Sequence, residues 1–105
     1  MRSGKKFVWD EKKRQTNLEK HGVDFADAPY VLDGTVLTAE SKICSTEKRF
    51  VSIGKYEDCT LVVVHTSLDE EPTRIISMRP ASRQERRRYN NEISNRLEAS
   101  EGGAG

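Results

Sequence analysis

Cysteine, proline and aromatic residues are scarce in this sequence, and long apolar runs are missing. The two cysteines, Cys44 and Cys59, lack the C-x-x-C spacing and the histidine pair typical of zinc and redox sites, so we expect reduced, incidental thiols. No run of about 18 apolar residues is present, which excludes a membrane-spanning helix. The N-terminus also lacks the apolar segment of a signal peptide. We therefore expect a cytoplasmic protein.

Histidine is equally scarce, with His21 and His65 as the two in the chain. A protein metal site needs three or four His, Cys, Asp or Glu ligands at suitable spacings. The sequence contains no such cluster. We therefore expect neither a metal ion nor another cofactor, and a metal-dependent nuclease is a poor interpretation.

What the chain does contain is charge, which is unevenly distributed. Charged residues make up 33% of the 105 residues, yet the net charge is only +1. The basic residues cluster in segments 5–20 and 79–88, on either side of a β-rich centre. Two such segments suit a polyanion such as a nucleic acid. The alternative is that each lysine or arginine lies on a solvated helix face.

The centre of the chain contains three consecutive β-type runs, at 48–55, 60–66 and 73–79. Each is rich in β-branched residues and bounded by turn residues, which predicts an antiparallel meander. The middle run is apolar enough for a central strand that is covered on both sides. A run at 35–38 supplies a fourth strand, and the apolar residues 7–9 predict a short N-terminal strand.

Two helices are predicted before the sheet. Asp10 is an N-cap for a helix over 11–21, which Gly22 ends. A second helix over 24–32 contains Pro29, so it must be short or bent. Both precede the four-stranded meander and are therefore expected to pack against it.

A final helix begins at Ser82, because Glu85 three residues later completes a capping box. The element order β-α-α-β-β-β-β-α predicts an α+β fold with a four-stranded antiparallel sheet, a short N-terminal strand and helices against one face. We expect one domain over 7–97, between a loose end at 1–6 and a disordered tail at 98–105.

Lys13, Asn17 and His21 recur every four residues and share one face of the first helix. This face could direct a lysine and a histidine toward a functional site. The competing interpretation is that His21 only interacts with the negative end of the helix, next to Gly22.

The motifs of this chain and their order resemble those of the BrnT family of toxins. The resemblance covers roughly residues 7–89 and rests on these groups: Phe7-Val8-Trp9-Asp10 with Lys13, Asn17 and Lys20-His21-Gly22-Val23, then Glu47-Lys48-Arg49-Phe50, then Leu61-Val62-Val63-Val64-His65-Thr66, then Arg74-Ile75-Ile76-Ser77-Met78-Arg79-Pro80-Ala81 with Glu85-Arg86 and Tyr89. It implies a RelE-like fold and a type II toxin that cleaves RNA without a metal and inhibits translation. It also implies a BrnA-like ribbon-helix-helix antitoxin, two toxins with two antitoxins in the complex, and operator DNA contacted only through the antitoxin.

RNA is cleaved without a metal when a 2′-hydroxyl attacks the adjacent phosphate, which needs a proton acceptor, a proton donor and cations on the phosphate oxygens. The candidate catalytic residues are Glu47 and His65 for proton transfer, with Arg49 and Arg79 as phosphate clamps. The candidate RNA-binding residues are Lys13, Arg74, Arg83 and Arg86.

Strand alternation limits how these groups combine. Leu61, Val63 and His65 share one face of the middle strand. Arg74 and Arg79 are five residues apart and point to opposite faces unless a bulge intervenes. The register is not readable from the sequence, so which arginine faces His65 stays open. A structural His65, or an Arg74 paired with the nearby acidic turn, are the alternatives.

A second function fits the same residues. The chain could be a non-catalytic binding module, such as an inactivated toxin that acts with its antitoxin as a co-repressor. Both functions predict RNA affinity that falls with salt, whereas only the enzyme predicts cleavage. In either case we expect the antitoxin to cover the basic residues of segment 83–88 and the strand arginines.

Overall fold

The computed structural model describes residues 6–41, 48–69 and 71–104, except for the side chains of residues 97–104. The predictions for Cys44, Glu47 and residues 1–5 lie outside these ranges. The elements follow the predicted order: β1 (Phe7–Trp9), α1 (Glu11–His21), a 3-10 turn (Phe25–Asp27), α2 (Ala28–Asp33), β2 (Val36–Ser41), β3 (Arg49–Tyr56), β4 (Cys59–His65), β5 (Thr73–Pro80) and α3 (Arg83–Ala104).

The five strands form one sheet in the order β1-β5-β4-β3-β2. Strands β2 to β5 are antiparallel, as predicted, and each pairs with the next along the chain. β1 pairs in parallel with β5, from Phe7 opposite Thr73 to Trp9 opposite Ile75. The first strand therefore closes one edge of the sheet and starts α1 beside β5.

Both ends of α1 are fixed by local signals, which is why the sequence located this helix. The Asp10 carboxylate accepts hydrogen bonds from the backbone N–H groups of Lys12 and Lys13, at 2.8 and 3.2 Å. Gly22 has a φ of 70°, and its N–H donates to the Leu18 carbonyl oxygen at 2.8 Å. A left-handed residue at this position ends a helix at little cost only when it is glycine.

The segment predicted as one helix over 24–32 is instead a 3-10 turn followed by α2. Pro29 lies in the first turn of α2, where its missing N–H has no intrahelical partner to lose. The Asp24 side chain caps the turn by accepting from the Ala26 N–H at 2.9 Å. Proline therefore sets where the regular helix begins, as its position in the sequence suggested.

The main core lies between one face of the sheet and the helices that precede it. Phe25, Ala28 and Val31 form one fully buried cluster with Val63 and Met78 from the central strands. By the alternation of β4, this is the face that also carries His65. The histidine is therefore part of the core side of the sheet.

Gly54 determines how closely α2 and β2 approach β3. A Cβ at Gly54 would lie 2.7 Å from Cγ1 of Val36 and 3.0 Å from Cγ1 of Val31. Side chains in close-packed interiors do not tolerate such distances without displacement of their neighbours. Glycine at this position therefore permits the observed packing.

The other face of the sheet carries α3, so the expectation that all helices lie on one face is wrong. Val62, Ala81 and Tyr89 are buried but lie outside the main core cluster. Alternation places Val62 on the face opposite Val63. The Tyr89 hydroxyl donates to the Thr35 carbonyl oxygen at 2.8 Å. A central strand that is apolar on both faces needs this second layer.

The final helix continues further than the sequence suggested. The backbone of α3 is helical from Arg83 to Ala104, which includes most of the segment 98–105 expected to be a disordered tail. Ser82 and Glu85 form the predicted capping box, because Glu85 accepts from the Ser82 N–H at 2.8 Å and the Ser82 hydroxyl accepts from the Glu85 N–H at 3.1 Å.

Candidate nucleic-acid interface

Asn17 fixes α1 against the outer edge of β5. β1 pairs with β5 only as far as Ile75, so the following part of β5 lacks a strand partner on that side. There the Met78 N–H donates to Oδ1 of Asn17 at 3.2 Å, and Nδ2 of Asn17 donates to the Val23 carbonyl oxygen at 3.1 Å. This buried amide holds the basic face of α1 next to the sheet.

A groove runs between α1 and β5, and we call it the α1 groove. Its cavity volume is about 330 Å³. The α1 side chains that line it are mostly basic, whereas β5 contributes two uncharged residues: Lys12, Lys13, Thr16, Asn17, Lys20 and His21, with Ile76 and Ser77. Such a groove is electropositive and suits an anionic chain.

A second cavity adjoins this groove and brings three predicted site residues together. It has a volume of about 280 Å³ and is lined by Lys13, Arg49 and Arg74, with Asp10, Ile75 and Ile76. Lys13 and Ile76 line both spaces. We call the second space the arginine cavity, and the two form one basic surface across α1, β3 and β5.

Arg49 carries the most unusual group in the arginine cavity. Its Nε atom is buried and has no hydrogen-bond partner in the part of the chain that the structure describes. A buried donor without an acceptor costs about 1–3 kcal/mol, so such groups call for an explanation. An anion entering the cavity would supply the acceptor.

A β-bulge in β5 determines which arginines share a face of the sheet. Val64 pairs with Ser77 and His65 pairs with Ile75, which leaves Ile76 as the extra residue on β5. Arg74 and Arg79 therefore both lie on the face opposite the main core. Five residues of strand still separate them by roughly 15 Å.

Arg79 is already engaged by a carboxylate. Its two terminal nitrogens donate to the oxygens of Glu85 at 2.7 and 2.8 Å. These hydrogen bonds raise the pKa of Arg79, and together with the Ser82 N–H bond they lower the pKa of Glu85 to about 2. Arg79 therefore connects the end of β5 to the start of α3. It does not line the arginine cavity. Its position gives no support to the predicted role as a phosphate clamp.

His65 is fully buried, and both ring nitrogens have protein partners. Nδ1 lies 2.6 Å from the Thr66 carbonyl oxygen and must donate to it, so in the neutral ring Nε2 accepts from the Ser52 hydroxyl at 2.7 Å. The Ser52 oxygen lies 2.7 Å from that of Thr38, and Phe50 stacks on the ring. A substrate has no access to this imidazole, which favours the structural interpretation over the predicted catalytic one.

The remaining predicted residues lie elsewhere. Arg83 and Arg86 are exposed on α3, and Nη1 of Arg86 donates to the Ala81 carbonyl oxygen at 3.1 Å. Glu47 lies outside the described residues. The structure therefore unites Lys13, Arg49 and Arg74, and separates them from His65 and Arg79.

A third cavity, which we call the α3 groove, separates α3 from β2 and β3 and has a volume of about 450 Å³. Its floor is largely apolar and its rim carries charges of both signs: Leu37, Thr38, Ala39, Val51 and Ile53, with Glu85, Arg88, Glu92 and Arg96. This mixed lining differs from the basic α1 groove and is less suited to a polyanion.

Lys12 and Lys20 were not predicted as site residues, and His21 was a candidate under one of two interpretations. All three are exposed residues of α1 that line the α1 groove. Helical spacing placed His21 on the face of Lys13 and Asn17, and that signal was available. What could not be read from the sequence was that this face lies against β5.

The described residues lack two kinds of feature. No three His, Cys, Asp or Glu side chains among them are grouped as metal ligands. None of the helices within the described ranges is both long and apolar enough to cross a membrane.

Comparison with known proteins identifies the family. Residues 9–85 match the family model described as the ribonuclease toxin BrnT of type II toxin–antitoxin systems. The structure is similar to the 1.1 Å crystal structure of the ribonuclease toxin BrnT from Brucella abortus, with 35% identity, a TM-score of 0.56, and coverage of 75% of this chain and 99% of that chain. No curated protein sequence matches. The α+β fold expected from the resemblance is confirmed, and the chain belongs to the BrnT family of ribonuclease toxins.

Proposed function

We propose that this protein is a metal-independent endoribonuclease that binds the RNA backbone in the arginine cavity and the α1 groove and thereby inhibits translation. The observation that carries the proposal is the buried Nε of Arg49, which has no acceptor within the described residues. Arg74 and Lys13 line the same cavity. Three cationic side chains around a space of about 280 Å³ fit one phosphate group better than a neutral ligand.

The chemistry of guanidinium and phosphate supports this assignment. Arginine presents its N–H donors in a planar fork that matches phosphate oxygens, and lysine adds a compact positive charge. A backbone phosphate held by such donors fixes the position of the RNA chain, and correct positioning contributes strongly to the rate of cleavage. Arg49 and Arg74 lie on strands, which hold them more rigidly than loops would.

Incubation of purified, antitoxin-free protein with total RNA in EDTA tests the proposal. We expect the wild type to degrade RNA and leave 2′,3′-cyclic phosphates. Arg49→Gln and Arg74→Gln should each slow cleavage about 10²-fold, because each removes a donor that binds the RNA backbone and positions it for cleavage. Lys55→Gln is the matched control, since it removes one positive charge from an exposed position near the other end of β3.

The outcomes separate enzyme from binding module. Equal cleavage by all three variants and the wild type would contradict the role of the arginine cavity. Intact RNA with folded wild-type protein would reject the ribonuclease on free RNA. It would favour the second function, a non-catalytic co-repressor, which the internal engagement of His65 and Arg79 also favours.

The partner belongs to the same proposal. A type II system supplies a protein antitoxin, and the resemblance to BrnT toxins favours a BrnA-like ribbon-helix-helix protein. We place it in a complex of two toxins and two antitoxins that contacts operator DNA through the antitoxin alone. The arginines of α3 and the apolar floor of the α3 groove are the surfaces of this chain that suit it.

A further inference from the structure

We propose that His21 is a catalytic residue of this protein, and that the cleaved phosphate lies in the α1 groove. This inference rests on the proposed ribonuclease function. His21 is exposed and lines the groove with Lys12, Lys13 and Lys20. It is the group that accepts the proton of the attacking 2′-hydroxyl.

The two histidines of the chain differ in access. His65 is fully buried, and both of its ring nitrogens are bonded within the core. His21 opens onto a cavity of about 330 Å³. An imidazole is the side chain best suited to proton transfer near neutral pH, so the accessible one is the candidate.

The position of His21 is fixed by its neighbours on α1. Asn17, one turn earlier on the same face, is buried and bonded to the backbone of both Met78 and Val23. Gly22, directly after His21, closes the helix with its bond to the Leu18 carbonyl oxygen. The backbone of His21 lies between these two bonded residues, which sets its position along β5.

The other groups around the groove cannot take a proton from the substrate. Lys12, Lys13 and Lys20 are cationic, and β5 contributes only the uncharged Ile76 and Ser77. No carboxylate among the described residues lines the groove. Asp24 is bonded to Arg14 at 2.8 Å, and Asp10 caps α1. Among the described residues that line the groove, His21 is therefore the side chain suited to accept a proton.

Cleavage exchanges the bond from phosphorus to the 5′-oxygen for a bond to the 2′-oxygen. The neutral His21 ring accepts the proton of the 2′-hydroxyl, and the 2′-oxygen forms a bond to phosphorus. The bond from phosphorus to the 5′-oxygen breaks, and its electron pair stays on that oxygen. The Lys20 ammonium gives a proton to the 5′-oxygen. Afterwards the protonated His21 ring releases its proton to water and Lys20 takes one up from water, so both side chains return to their starting states. The products are a 2′,3′-cyclic phosphate and a 5′-hydroxyl.

If His21 acted only through its charge, its variants would respond differently. A histidine at the end of a helix can stabilise that end, and a positive ring could also attract RNA. Arginine at this position would keep both effects and would not accept a proton. The comparison of His21→Arg with His21→Ala therefore separates charge from proton transfer.

The experiment measures single-turnover cleavage of a labelled, unstructured RNA oligonucleotide in EDTA, from about pH 5.5 to about 8.5. RNA affinity and thermal stability of each variant are measured in parallel. We expect the wild-type rate to rise with pH over this interval. Both variants should lose at least about 10²-fold in rate and lose that rise, while they remain folded and bind RNA. Added imidazole should restore part of the activity of His21→Ala.

Two results would overturn the inference alone. These are a His21→Arg variant that cleaves at the wild-type rate, and a His21→Ala variant that keeps the wild-type pH profile. Loss of RNA binding together with cleavage in His21→Ala, with both restored in His21→Arg, would assign an electrostatic role instead. A folded wild type that leaves the oligonucleotide intact would reject the ribonuclease itself, and the inference would fail with it.

Discussion

Two buried polar side chains, Asn17 and His65, have hydrogen-bond partners for both of their polar atoms. Asn17 joins α1 to β5 and to the segment after the helix. His65 continues a row of hydrogen bonds that passes through Thr38 and Ser52 and ends on the Thr66 carbonyl oxygen. Each satisfies donors and acceptors that would be costly to bury alone.

Substitution by alanine should affect the stability of the fold very differently at the two histidines. His65→Ala leaves a cavity in the core and removes one of the two hydrogen-bond partners of the Ser52 hydroxyl, so we expect a loss of about 3 kcal/mol in the free energy of unfolding. His21→Ala, the matched control at an exposed position, should cost less than about 1 kcal/mol. Urea denaturation of both variants checks this. Equal losses would mean that His65 is not held in the core as described.

At the scale of elements, the junction of β5 and α3 combines a capping box with an ion pair. The Glu85 carboxylate accepts hydrogen bonds from the Ser82 N–H and from both terminal nitrogens of Arg79. The pair lies near the surface, with side-chain exposures of 44% for Arg79 and 29% for Glu85, so water screens it and its contribution is modest. It sets the direction in which α3 leaves the sheet.

This junction predicts a pH dependence of stability. The pKa of Glu85 is lowered from 4.5 to about 2 in the folded chain. Its stabilisation is therefore present above pH 4.5 and is lost as the pH falls through this window toward 2. Glu85→Gln should reduce stability at neutral pH by up to about 1 kcal/mol and weaken the decline with acid.

Thermal unfolding at several pH values measures this effect, and Glu92→Gln is the control on the same helix. Glu92 is exposed and lies 4.0 Å from Arg96, so its substitution should change little. An acid profile of Glu85→Gln that coincides with the wild type would show that the ion pair does not act on folding.

The elements could be predicted because their signals are local. Asp10, Gly22 and the Ser82–Glu85 box mark helix ends within a few residues, and alternation in β4 shows which side chains share a face. The arginine cavity could not be predicted, because it depends on the pairing of strands distant in sequence and on one extra residue at Ile76. Burial of His65 likewise follows from packing of both helices and strands around it.

At the scale of the whole molecule, the chain places distinct surfaces on different sides of the sheet. The α1 groove and the arginine cavity are basic and lie at the β5 side. The α3 groove lies at the β2 and β3 side and combines apolar residues with charges of both signs. The net charge of +1 therefore conceals a basic surface along α1, β3 and β5 and a surface of mixed charge beside α3.

The position of the antitoxin is tested by reversing the charges of α3. We expect a variant with Arg83, Arg86, Arg87 and Arg88 all changed to Glu to lose antitoxin affinity at least about tenfold, because an acidic partner would then meet like charges. Native mass spectrometry of the co-expressed wild-type pair should give two toxins and two antitoxins. Unchanged affinity of the folded variant would place the antitoxin elsewhere.

The two edges of the sheet differ in their ability to accept another strand. On the β5 side, β1 is three residues long and α1 covers the backbone beyond it through Asn17. On the other side, β2 ends the sheet and presents the backbone of Val36–Ser41. Exposed edges of this length are where partner chains extend a sheet by strand addition. Within the described residues, β2 is therefore the edge that offers the longer strand for such pairing, at the opposite end of the sheet from β1.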